Sequence, residues 1–89
     1  MMKNKPVLLV VDDQPQNIEL LEAHLEPQGY EIVKAASGEE ALEKLSGSQV
    51  DLVLLDVKMP NMSGFEVPAK LRADNKTQRI PVVMTAAHR

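Results

Sequence analysis

Two apolar runs stand out along the chain: Val7-Leu8-Leu9-Val10-Val11, closed by Asp12-Asp13, and Leu52-Val53-Leu54-Leu55, closed by Asp56. Runs of this length and Val/Leu content read as strands buried on both faces, the habit of parallel sheets. Elsewhere the period changes. Ile18, Leu21 and Leu25 recur at helical spacing, which predicts an amphipathic helix entered through Gln14-Pro15-Gln16-Asn17 and ended near Pro27-Gln28-Gly29. Pro15 fits its first turn, where the missing N–H would have no partner. A short strand follows over residues 30–35. Ser37 and Glu40 form a capping box, and Ala41, Leu42 and Leu45 supply the buried face of the helix it starts, which Ser46-Gly47-Ser48 ends. The second apolar strand covers residues 50–57, and the loop Met59-Pro60-Asn61-Met62 leads to another box, Ser63 to Glu66, opening a helix that runs to about Ala73. Residues 74–79 are a polar loop before a fourth strand, Ile80-Pro81-Val82-Val83-Met84, with Pro81 near its start, where a missing donor is tolerated. Pro68 conflicts with a regular helix capped by Ser63, at a cost of about 3 kcal/mol, so that helix starts late or kinks.

The order is βαβαβαβ, which predicts an α/β fold: a parallel sheet with right-handed crossovers and helices on both faces. Open sheets of this kind place ligands outside the carboxyl ends of their strands. If the two apolar strands lie side by side, Asp12, Asp13 and Asp56 converge there. Like charges that close disfavour joint ionisation, but a hard divalent cation taking oxygen ligands reverses the balance. The pattern therefore predicts a Mg²⁺ site.

Composition narrows the classes. At 89 residues the chain is one small domain, near the size where stability is marginal. A net charge of −3 gives no basic footprint, so direct nucleic-acid binding is not expected. The absence of cysteine excludes disulfide and thiol chemistry and fits a reducing compartment. The N-terminal apolar run, five residues long, is too short for a signal sequence or a membrane span, so a cytoplasmic chain without membrane contact is expected.

The acid pair at the end of the first strand, Asp56 at the end of the third, and Met59-Pro60-Asn61-Met62-Ser63-Gly64 directly after it together resemble the receiver domain of two-component response regulators. The resemblance runs from Val7 to about Ala87. It implies a flavodoxin-like doubly wound sheet and a signalling role rather than a turnover enzyme. By position, it implies that Asp56 accepts a phosphoryl group from a histidine kinase or phosphotransfer protein. It also implies that Asp13 ligates Mg²⁺ directly, Asp12 through water and Lys58 through its backbone carbonyl. The elementary chemistry agrees: a strand-end carboxylate can attack phosphorus in line, with positioning and electrostatics supplying most of the catalysis.

Two departures from the family pattern stand out. Receivers usually have four residues between the proline opening the fourth strand and a Ser or Thr at its end, whereas Val82, Val83 and Met84 alone separate Pro81 from Thr85. The switch position is therefore Thr85 or Ala86, depending on register. The chain also stops at Arg89, before the fifth strand, its phosphate-binding Lys and the fifth helix that the family carries, so residues 1–89 read as a receiver incomplete at its C-terminus. That leaves the fourth strand as an edge, open to pairing with a second copy. The alternative function is a degenerate receiver acting as a phosphorylation-independent interaction module, with an output partner that the sequence does not name. A haloacid-dehalogenase-type phosphatase also uses a strand-end Asp with Mg²⁺ but needs a second Asp two residues on, where Lys58 stands.

Overall fold

The computed structural model describes residues 5–47, 49–56, 66–75 and 77–85. Its elements follow the expected order: β1 (Val7–Val11), α1 (Pro15–Leu25), β2 (Glu31–Ala35), α2 (Gly38–Gly47), β3 (Leu52–Asp56), α3 (Glu66–Ala73) and β4 (Val82–Thr85). The strands form one sheet in the order β2-β1-β3-β4, and every pairing is parallel. From β1 the chain crosses to β2 on one side and returns to β3 on the other, so the winding reverses between β1 and β3.

Local chemistry shifts several boundaries. Helix α1 ends at Leu25, and a 3₁₀ turn, Glu26–Gln28, carries the chain to Gly29 at φ +100°, a left-handed conformation in which a Cβ would be strained. The Tyr30 N–H is used by the Leu25 carbonyl, so β2 starts at Glu31 rather than at residue 30. Strand β4 starts at Val82 because the Ile80 N–H turns back to the Thr77 carbonyl and Pro81 has no N–H. The Pro81 carbonyl still accepts the Val53 N–H at 3.0 Å, which opens the β3–β4 ladder. Strand β3 starts at Leu52, since Asp51 instead fastens the start of β1: its N–H donates to the Val7 carbonyl at 2.8 Å, and its Oδ2 accepts the Val7 N–H at 2.7 Å.

The first capping box forms with one variation. The Glu40 N–H donates to Ser37 Oγ at 3.1 Å, but Glu40 Oε1 accepts from the Ala36 N–H, one residue before the cap. The second box lies largely outside the described residues. Pro68 is the third residue of the described helix Glu66–Ala73.

Strand alternation sorts the core. Leu9, Val11, Ala35, Val53 and Leu55 point to one face and join Ala41 and Leu45 of α2, Leu71 of α3 and Val50 in a single buried cluster. Leu8, Val10 and Ile18 of α1 are buried too but lie outside that cluster, on the opposite face. Burying each such side chain fully contributes about 1.5–3 kcal/mol. The sheet is thereby fixed in register, and the register positions the site.

Candidate functional site at the strand ends

Val11 pairs with Ala35, Leu55 pairs with Val11, and Met84 pairs with Leu55, so an apolar row crosses all four strands. One residue further on, the character of the sheet changes. The Asp12 N–H donates to the Ala35 carbonyl at 3.1 Å, carrying the β1–β2 ladder past the apolar row. In the same register Asp12 stands beside Asp56, and Asp56 pairs directly with Thr85. Neighbouring strands are about 4.8 Å apart, so two acids and a hydroxyl residue occupy adjacent backbone positions at the winding reversal.

Asp12 is only 2% exposed, and its Oδ1 accepts the Gln14 N–H at 2.9 Å. A buried carboxylate costs free energy unless it is hydrogen-bonded or paired, so this bond supports the acid as well as orienting it. Asp13 is exposed beside it. The donor set is hard oxygen, with one buried, oriented carboxylate, a second that is solvent-accessible and a third acid on the neighbouring strand. It fits an oxygen-ligated divalent cation. Among the described residues no group of three or more His, Cys, Asp or Glu gathers, the side chain of Asp56 being outside that description. Lys58 and Ala86 also lie outside the described residues.

Two groups escape a reading of the sequence. The first is the Gln14 backbone N–H as donor to Asp12, since Gln14 and Asn17 are expected only as polar neighbours in local helix-start hydrogen bonding; the signal that could have found it is an Asp two residues before a helix N-cap, the spacing at which Asx side chains bond the backbone. The second is Thr77, buried inside the polar loop, whose hydroxyl donates to the Leu71 carbonyl at 2.9 Å and closes the end of α3. Arg72 reaches the Gln78 and Ile80 carbonyls at 3.4 and 3.5 Å and holds the same loop. A cavity of about 280 Å³ opens there, lined by residues such as Leu42, Leu45, Leu71 and Thr77. It lies against the last turns of α2 and α3, where helix dipoles disfavour anions.

Residues 8–89 match the response regulator receiver domain family, and the chain belongs to that family. It is a receiver domain of two-component signalling, with the flavodoxin-like parallel sheet of such domains. Response regulator PleD of Caulobacter vibrioides is 46% identical over 80 residues, covering 90% of this chain and 18% of PleD. The chain thus spans under a fifth of that relative. Chemotaxis protein CheY4 of Vibrio cholerae superposes with a TM-score of 0.85 at 34% identity, covering 90% of this chain and 67% of CheY4. TrrA of Thermotoga maritima in complex with Mg²⁺-BeF gives a TM-score of 0.73 at 35% identity, with 91% and 87% of the two chains covered. The complex of TrrA with histidine kinase ThkA gives 0.82 at 42% identity, with 93% and 72% covered.

Proposed function

We propose that this receiver takes a phosphoryl group from a histidine kinase or phosphotransfer protein onto Asp56, with Mg²⁺ held by Asp12, Asp13, Asp56 and the Lys58 carbonyl. The observation that carries the reading is the register: Asp56 pairs with Thr85, and Asp12, the residue directly after β1, continues the register that pairs Val11 with Leu55. The Asp56 carboxylate attacks phosphorus; an O–P bond forms, the N–P bond of the donor phosphohistidine breaks, and the imidazole leaves. Mg²⁺ held by these residues would offset charge on the transferring oxygens. Exposed Asp13 would ligate the cation directly, and Asp12, oriented by the Gln14 backbone N–H, would do so through water. TrrA's complexes with ThkA and with Mg²⁺-BeF support the kinase and the metal by analogy.

Register also favours Thr85 over Ala86 as the switch residue, since Thr85 is the partner of Asp56. Phosphorylation adds charge and acceptor oxygens at the strand ends, and a hydroxyl beside them can follow that change to a surface read by an output partner.

Incubating the chain with a small-molecule phosphodonor and Mg²⁺ is expected to add one phosphoryl group by mass. Asp56→Asn is expected to abolish the addition, and so is metal chelation. Labelling that persists in either case overturns the assignment. Thr85→Ala is expected to uncouple phosphorylation from partner binding, while Ala86→Thr changes it little; the opposite ranking assigns the switch to residue 86. Partner binding indifferent to phosphorylation and to both substitutions points to the interaction-module alternative.

A further inference from the structure

We propose that Gln14 is a positioning residue for the acid site. Its backbone N–H, presented by the start of α1, sets the orientation of the buried Asp12 carboxylate, so the first turn of α1 governs affinity for a divalent cation. This inference rests on the metal reading above.

Helix α1 has few anchors at its start. Its N-cap, Gln14, makes no side-chain cap bond, its first turn holds no acidic residue, and Pro15 brings no N–H. Gln14 instead works through its main chain. Its N–H donates to Asp12 Oδ1 at 2.9 Å, and its carbonyl accepts from Asn17 and Ile18 at 3.1 and 3.4 Å. One residue therefore joins the carboxylate to the first turn, and Ile18, 6% exposed, pins that turn into the core. Asp12 is held at both ends: the sheet holds its backbone through the Ala35 carbonyl, and α1 holds one oxygen of its side chain. At 2% exposure water competes poorly for this bond, and an amide donating to a carboxylate makes one of the stronger hydrogen bonds in a protein. Mg²⁺ demands near-ideal octahedral geometry, so a carboxylate freed to rotate is a poorer partner for it, whether direct or through water.

The test uses the full chain with Mg²⁺ alone, titrated by NMR. Gln16→Gly loosens the first turn at an exposed position, and Glu43→Gly inflicts a comparable penalty on the exposed side of α2. Gln16→Gly is expected to weaken Mg²⁺ binding about three- to five-fold, the size of one helical glycine penalty, while Glu43→Gly leaves it unchanged. A merely structural role would lower stability in both variants and affinity in neither. Because linkage is reciprocal, Mg²⁺ saturation is also expected to slow hydrogen exchange at the Gln14 amide of the unaltered chain. Mg²⁺ binding that ignores Gln16→Gly and leaves Gln14 exchange unchanged overturns this proposal alone. A chain that binds no Mg²⁺ overturns the metal reading and this proposal with it.

Discussion

The two faces of the sheet are built from the same strands and finished differently. On one, Leu9, Val11, Ala35, Val53 and Leu55 meet α2 and α3 in a continuous cluster with Leu9, Val53 and Leu55 at 0% exposure. On the other, the row Lys34-Val10-Leu54-Val83 runs from a charged edge through a buried valine to a half-buried leucine and a valine that is 44% exposed. Helix α1 supplies Ile18 to that second face. Alternation within a strand makes neighbours answer to different layers, so Leu54 and Leu55 share a strand but not an environment.

The largest expected effect tests that contrast inside β3. Leu55→Ala empties space in the closed cluster and is expected to cost about 3 kcal/mol of stability, while Leu54→Ala, on the half-buried row, costs about 1 kcal/mol. Urea unfolding of both variants measures it. Equal losses would show that the two faces are closed to the same degree.

The contrast also explains how much was legible in the sequence. The apolar runs of β1 and β3 announced a parallel sheet because both faces of a central strand are covered, and strand order alone puts the acids that end them next to one another. Strand boundaries were less visible, since they are decided by single hydrogen bonds: Asp51 is captured by Val7, Ile80 by Thr77 and Tyr30 by Leu25. Thr77 was invisible because a loop of polar residues does not say which of them turns inward; its burial depends on the Leu71 carbonyl, six residues earlier. The choice between Thr85 and Ala86 as the switch position has the same origin. Counting from Pro81 assumes that the strand begins at the proline, whereas the pairing is set by β3 and puts Thr85 opposite Asp56.

A smaller effect is expected at the exposed end of the second face. Val83→Lys adds a charge to a residue already 44% exposed, and its direct effect on stability is expected to stay within about 0.5 kcal/mol. In the described sheet β4 is the outer strand, and an outer strand carrying an exposed valine is the kind that recruits another chain. Sedimentation equilibrium across a wide concentration range is expected to show self-association of the unaltered chain and its loss in Val83→Lys. A unaltered chain that remains monomeric at high concentration would remove the second face from consideration as a contact surface.

The smallest effect lies at the charged end of the same row, where Lys34 Nζ meets Glu22 of α1 at 2.9 Å with the two side chains 49% and 24% exposed. The Glu22 hydrogen bond and then its charge hold the Lys34 ammonium above the ordinary lysine value of 10.5. A raised lysine pKa means that folding favours the protonated form. The contribution is therefore fully present below 10.5 and fades as pH rises through the higher folded value. Solvent screens so open a pair, so Lys34→Met is expected to change stability only slightly at neutral pH and less still in high salt. The Lys34→Met difference, measured by denaturant unfolding, should hold steady from neutral pH to near 10.5 and shrink only beyond it. A difference that vanishes well below that value would mean that another group fastens α1 to the edge of the second face.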